Sequence, residues 1–244
     1  MLKAVFLLAC GFIAGTAIAE PTIWLIGDST VCNYSKSRYP QTGWGQMLPE
    51  YCKPGVKVEN HAAGGRSTKS FIAEGRWDKV MAGLKKGDFL MIQFGHNDQK
   101  KNKAKVYAPA DGLYQELLKK YISEAKSKGV STVLVTSVMR RVYDKKDGKL
   151  KNTLGGYPDA MKKVANETDT PVIDLNKISY DKMLPMSQDE TKKLYNHCPP
   201  GKYKAFMKGN TDNSHFNEYG AKCIAGWVVD DAKKQKLAIA ELFK

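Results

Sequence analysis

The chain has 244 residues, and 42% of them are apolar, enough for one domain with a sizeable core. Its formal net charge of +14 favours an anionic partner (nucleic acid, acidic lipid or a polyanionic polysaccharide) or a solvated lysine-rich surface. No aromatic–basic platform of the RNA-binding kind is present, which sets nucleic acid aside, and no later segment approaches the ~18 uninterrupted apolar residues of a membrane span.

The first 19 residues read as a secretory signal peptide: Lys3, then the apolar stretch Ala4–Gly15, then the small-x-small site Ala17-Ile18-Ala19. A lipid-anchored reading through Leu8-Ala9-Cys10 leaves too little apolar chain before Cys10. Residues 20–244 then form the mature protein, secreted to the extracellular space or periplasm, with no membrane association after cleavage. Without Lys3 its charge is about +13.

Five runs rich in β-branched and aromatic residues predict strands: Ile23–Ile26, Val56–Glu59, Phe89–Phe94, Thr132–Ser137 and Val172–Leu175. Most are nearly continuous apolar runs, as in strands covered on both faces. Between them lie the predicted helices Trp44–Tyr51, Phe71–Leu84, Pro109–Lys128 and Tyr157–Glu167. Pro109 suits a first helical turn, and Gly129 suits a helix stop. From Lys177 to Asn213 the pattern is less regular, with a helix over Gln188–Tyr195 and a turn at Pro199–Gly201. A last helix, Glu218 to about Lys234, closes a chain without repeats or a second-domain linker. Such alternation predicts a parallel sheet with helices on both faces, in one domain over 20–244. Right-handed crossovers bring the C-terminal ends of the strands to one edge, where such proteins bind ligands.

Four segments fall at that edge. The first strand ends in Gly27-Asp28-Ser29, either a common turn or a presented nucleophile. After the second, Gly64-Gly65 is a turn needing positive φ, and its N–H can also face a developing oxyanion. After the third, Gly95-His96-Asn97-Asp98 places an amide that caps the next turn or donates to the same oxyanion. His96 beside a turn reads as structural rather than as a base. Near the C-terminus, Asp212 and His215 are three apart, so the Asp can orient the ring while the other ring nitrogen accepts a serine proton. A metal-ligand reading of Asp212 and His215 lacks a third ligand nearby.

These blocks, in this order, resemble the SGNH (GDSL-type) hydrolase superfamily along essentially the whole mature chain. Within it, "GDST" with Thr30 in place of the commoner leucine, "AGGRSTKSF", "EGRW", "FGHND", "SVMRRVYDKKDGKL" and "DNSHFNEYGA" are similar to the rhamnogalacturonan acetylesterase branch. The resemblance implies a flavodoxin-like three-layer α/β/α sandwich with a five-stranded parallel sheet in the order 2-1-3-4-5. It implies Ser29 as nucleophile, His215 as base, Asp212 as its orienter, and an oxyanion hole from the N–H groups of Ser29 and Gly65 with Asn97. It implies a serine esterase that removes acetyl groups from an acidic pectic polysaccharide, needing no metal or organic cofactor. Another acetylated glycan such as xylan, or a lipase-like ester, is the alternative substrate.

Arg66, Arg140 and Arg141 follow strands two and four, where a guanidinium fork can hold a galacturonate carboxylate or pair with a nearby acid. Tyr39 and Trp44 are candidates for stacking on sugar faces, and Trp44 equally for the core. Of the mature cysteines Cys32, Cys52, Cys198 and Cys223, whose spacing does not resemble a zinc site, the topology favours Cys198–Cys223 as a disulfide and disfavours Cys32–Cys52. A monomer is expected.

Overall fold

The structure, a computed structural model, describes residues 21–244; the leader, with Cys10 and its cleavage site, lies outside the described residues. In chain order the elements begin with strand β1 (Ile23–Gly27), the short strand β2 (Gln41–Thr42), helix α1 (Trp44–Met47) and strand β3 (Val58–Asn60). Helices α2 (Thr68–Ala73) and α3 (Arg76–Gly83), strand β4 (Phe89–Gln93), helix α4 (Leu113–Ser127) and strand β5 (Ser131–Val135) follow. Then come α5 (Tyr157–Glu167), β6 (Val172–Ile173), α6 (Leu175–Met183), α7 (Gln188–Lys192), β7 (Tyr195–Cys198), β8 (Asn210–Asn217) and α8 (Glu218–Lys234). No helix among the described residues is long and apolar enough to cross a membrane.

Five strands form a parallel sheet in the order β3-β1-β4-β5-β6. Renumbered without the short β2, this is the 2-1-3-4-5 order of the flavodoxin-like sandwich. The continuous apolar runs have a structural reason: alternate side chains feed two cores. Ile23, Leu25, Met91, Val133 and Ile173 face α1, α6 and α8, where Trp44, Leu175 and Ile224 are buried. Trp24, Ile26, Leu90, Ile92 and Leu134 face the other layer, with Phe71, Trp77, Leu118 and Met161.

Several boundaries differ from expectation, each for a local reason. The single helix predicted over Phe71–Leu84 is two, because Gly75 at φ 64° caps α3 in the left-handed region. Pro109–Gly112 close a turn before α4 rather than its first turn. The last parallel strand stops at Ile173, because Asp174 accepts the Lys177 N–H and starts α6. The helix expected to reach Tyr195 ends at Lys192, and Tyr195 begins a strand. That strand belongs to a second, antiparallel sheet β2-β8-β7 that no periodicity announced.

The expected Cys198–Cys223 disulfide is corrected: all four described cysteines are free. Cys198 pairs with Asn210 at the far end of the β7–β8 ribbon, while Cys223 lies beyond its other end, inside α8. The Cys198 thiol instead donates to Asn196 Oδ1 at 3.1 Å.

Candidate active site

Ser29 sits just past β1 because the strand exits through a glycine that tolerates no side chain. A Cβ on Gly27 would lie 2.6 Å from the Gln93 carbonyl oxygen. The Ser29 carbonyl is pinned by the Tyr34 hydroxyl, which donates to it at 2.8 Å.

Asp28, fully buried, turns away from Ser29. Its Oδ1 accepts from the Thr30 N–H at 2.9 Å and the Thr30 hydroxyl at 2.8 Å, and its Oδ2 lies 3.2 Å from His96 Nδ1. The other His96 nitrogen, Nε2, lies 3.0 Å from the Val138 carbonyl oxygen. His96 is therefore bound within the scaffold. Burial alone would raise the Asp28 carboxyl, but the His96 charge, its hydrogen bond and the Thr30 donors prevail and hold it below its ordinary range. Thr30 extends the chain of bonds: its hydroxyl accepts from Gln93 Nε2 at 2.6 Å, and Gln93 Oε1 accepts from Trp44 Nε1 at 2.8 Å. Trp44 is thus buried and bonded, not a sugar platform. The sequence reading missed Gln93 and the work of Asp28; the one signal available was Thr30 where leucine is usual.

Asp212 and His215 arrive on β8 rather than in a loop. Tyr195 pairs with Phe216 and His197 with Thr211, so β7 advances two residues while β8 advances five. The surplus bulges out and carries both side chains. His215 Nε2 lies 2.9 Å from Ser29 Oγ, and its Nδ1 lies 2.7 Å from Asp212 Oδ2. Asp212 Oδ1 accepts the main-chain N–H groups of Ser214 at 2.8 Å and His215 at 2.9 Å. Burial pushes this carboxyl up, yet the His215 ring, these N–H donors and the ring's charge outweigh it and bring it to about 2.

Opposite the ring, Ala63 O accepts the Arg66 N–H around Gly64-Gly65, with Gly65 at φ 81°, a turn that favours glycine there. The N–H groups of Ser29 and Gly65 have no hydrogen-bond partner among the described residues. Lys100 Nζ donates to Asn97 Oδ1 at 2.5 Å, which turns Nδ2 the other way, toward Arg66 O at 2.9 Å. The second Nδ2 hydrogen stays available. Asp98 anchors the same loop, its Oδ1 accepting from the Thr68 N–H at 2.9 Å and the Thr68 hydroxyl at 2.6 Å. Buried Asp98 Oδ2 has no partner, and desolvation outweighs the Thr68 bonds and pushes the carboxyl up to about 7.

The arginines divide. Arg66 pairs with Glu74 at 2.9 Å and donates to the Gly64 carbonyl at 2.7 Å. Arg140 donates to Thr153 Oγ1 at 3.1 Å and to the His96 carbonyl at 3.2 Å. Arg141, expected at a substrate carboxylate, is buried and serves the scaffold instead. It donates to Thr191 Oγ1, Asn213 Oδ1 and the Gln188 carbonyl. The site itself is shallow, with Ser29 half-buried and Gly64-Gly65 exposed. A cleft of about 350 Å³ lined by Phe89, Thr132 and Ile239 lies at the opposite edge of the sheet and touches none of these residues.

Fold and motif order together define a class, the hydrolases of carboxylic esters built on this sheet. The GDSL-like lipase/acylhydrolase family matches residues 25–223, and the chain belongs to it. Rhamnogalacturonan acetylesterase RhgT of Bacillus subtilis (strain 168) is 40% identical over 222 residues, covering 90% of this chain and 92% of its own. The crystal structure of Bacillus subtilis protein YxiM aligns with a TM-score of 0.76 at 30% identity, over 89% of this chain and 57% of that one. This chain therefore spans just over half of that neighbour. Axe2, an acetylxylan esterase from Geobacillus stearothermophilus, shares the fold, with a TM-score of 0.62 at 18% identity over 87% and 94% of the two chains.

Proposed function

We propose that this protein is a secreted, monomeric, single-domain serine esterase over residues 20–244. It removes acetyl groups from the acidic pectic polysaccharide rhamnogalacturonan I, without a metal or organic cofactor. The observation that carries the reading is the 2.9 Å contact from His215 Nε2 to Ser29 Oγ, with Asp212 on the other ring nitrogen. Likeness to a rhamnogalacturonan acetylesterase across most of both chains supports the substrate. The leader pattern in residues 1–19 supports secretion.

In this reading Ser29 Oγ attacks the acetyl carbonyl carbon as its proton passes to His215 Nε2. The carbonyl oxygen becomes an oxyanion that takes hydrogen bonds from the Ser29 and Gly65 N–H groups and the free N–H of Asn97. Collapse breaks the ester bond, and the departing sugar oxygen takes the proton from His215. Water then attacks the acetyl-enzyme, giving a proton back to His215. The second tetrahedral species releases acetate, and Ser29 recovers its proton. Asp212 stays ionised throughout and holds the ring with Nε2 toward Ser29. An open, half-exposed site suits an acetyl group on a polymer better than a long acyl chain. Arg66, on the Gly64 carbonyl, and Arg140, on the His96 carbonyl, are the guanidinium groups this reading assigns to galacturonate carboxylates.

The test is acetate release from acetylated rhamnogalacturonan and from acetylated xylan by the wild-type chain and Ser29→Ala. Preference for rhamnogalacturonan, abolished in the variant, is expected. A preference for xylan would overturn the substrate, and hydrolysis unchanged in Ser29→Ala would overturn the mechanism.

A further inference from the structure

Away from the catalytic residues, one exposed ring, two half-buried rings and several cations coincide on two segments, residues 36–39 and 202–206. Tyr39 is 51% exposed, although tyrosine usually buries its ring, and meets Tyr203 edge-on with centroids 5.8 Å apart. The Arg38 guanidinium lies over the Phe206 ring at 5.2 Å, and Lys202 Nζ lies 5.3 Å from the Tyr203 centroid. Lys36 is exposed on the same loop as Tyr39. The facing acid is Glu218, beside the Tyr39 hydroxyl. A bared ring backed by others marks a contact surface, and the cations give that surface its sign.

The patch connects to the nucleophile. Tyr34, which donates to the Ser29 carbonyl, lines a cleft of about 410 Å³ together with Lys36, Tyr39 and Gln46. The far end of the same loop is tied to the base-bearing strand, because Gln41 and Thr42 pair with Asn217 and Phe216, next to His215. The patch is thus joined to Ser29 through Tyr34 and to the strand of His215 through the β2–β8 pairing.

We propose that Tyr39 and Tyr203, with Lys36, Arg38 and Lys202, form a secondary subsite for the uronate-bearing stretch of a glycan chain whose acetylated residue lies at Ser29. What sits at Ser29 rests on the acetylesterase reading above; the subsite itself does not. Each component of a uronate has a counterpart here. The apolar C–H face of a pyranose ring packs on an aromatic face, and its carboxylate pairs with an ammonium or guanidinium. The link through Tyr34 to the ester-cleaving serine favours a glycan over other polyanions. Tyr39 and Tyr203 are held by one another, and Lys202 lies over Tyr203, so little ordering is lost on binding.

The subsite is tested by calorimetry on the Ser29→Ala protein with unacetylated oligogalacturonate, a probe that needs no turnover. Binding that weakens with added salt is expected, with about tenfold loss (about 1.4 kcal/mol) in Tyr39→Ala/Tyr203→Ala. On acetylated rhamnogalacturonan the same pair of substitutions, placed in the active chain, lowers kcat/KM about tenfold relative to p-nitrophenyl acetate, through KM. Thermal unfolding midpoints matching the parent show that the loops remain folded. Equal affinity in parent and variant overturns the subsite. So does equal binding of neutral xylo-oligosaccharide, tighter binding of a single-stranded oligonucleotide, or a dimer that closes over Tyr39. Oligogalacturonate bound through Tyr39 and Tyr203 by a chain that releases no acetate from rhamnogalacturonan would sustain the subsite and sink only the acetylesterase reading.

Discussion

Arg141 holds Asn213 twice: its main-chain N–H donates to the Asn213 carbonyl at 2.8 Å, and its Nη1 donates to Asn213 Oδ1 at 3.1 Å. Asn213 stands between Asp212 and His215 on the bulge of β8, so this grip fixes the height at which the ring meets Ser29. His197 Nε2 reaches the same Oδ1 at 2.8 Å from the neighbouring strand. Arg141→Met should lower kcat by about 10–100-fold while leaving KM nearly unchanged, since small misplacement of a base is costly. Arg141→Lys should recover little, because one ammonium cannot replace the guanidinium fork. Steady-state kinetics on p-nitrophenyl acetate, with circular dichroism as the check on folding, reads both. A folded Arg141→Met at full kcat would mean that the bulge holds itself.

Asp212→Asn should cost about 10⁴-fold in kcat, because the amide favours the wrong ring tautomer. The native carboxyl, at about 2, also sets an acid limit. Its folded value is depressed, so its stabilising contribution is complete above pH ~4 and is lost as pH falls toward 2. Acid titration followed by tryptophan fluorescence should show this loss in wild type and not in Asp212→Asn.

Asn97→Ala should lower kcat about 10²–10³-fold, the usual cost of one oxyanion donor. Binding of substrate should change far less. The substitution also frees the Arg66 carbonyl and Lys100 Nζ, so a control at Lys100 is informative. Lys100→Met should show a smaller loss of kcat, since it removes the group that turns the amide but not the donor.

Thr30→Val keeps the shape of the side chain and removes its hydroxyl. Gln93 Nε2 loses an acceptor and Asp28 Oδ1 loses a donor, both buried. Urea denaturation should register a loss of about 1–3 kcal/mol, and Thr30→Ser should restore most of it. An unchanged midpoint in Thr30→Val would refute the role assigned to this hydroxyl.

Asp98 titrates the other way. Its folded value, about 7, lies above the ordinary 3.8. Between those values the folded chain binds the proton more tightly than the unfolded one, so stability falls as pH rises from ~4 to ~7 and then levels. The full effect is worth up to about 4 kcal/mol. Asp98→Asn, which keeps an acceptor for Thr68, should remove this slope and be the more stable chain at pH 8. Denaturant midpoints for both chains at pH 5 and pH 8 decide it.

Much of the architecture was legible because it is encoded locally. Ile23–Ile26 and Phe89–Phe94 are apolar on successive residues since each strand feeds two cores, and that pattern needs no knowledge of the rest of the chain. Strand–helix alternation with right-handed crossovers then puts Ser29, Gly65 and Asn97 at one edge without any further information. The three-residue spacing of Asp212 and His215 likewise determined which partner could orient the ring.

Only the tertiary structure decided the rest, because it depends on pairings between residues far apart in sequence. The β8 bulge exists only in register against β7, so Asp212 and His215 read as a loop until that pairing is seen. The bonds Trp44–Gln93 and Asp28–His96 join residues 49 and 68 positions apart, which made His96 and Trp44 ambiguous in isolation. Arg141 looked like a substrate ligand because its position after a strand is local, while its partners Gln188, Thr191 and Asn213 are not. The cysteines failed for the same reason: nearness to one edge does not bring two Cβ atoms together when a ribbon carries one of them away.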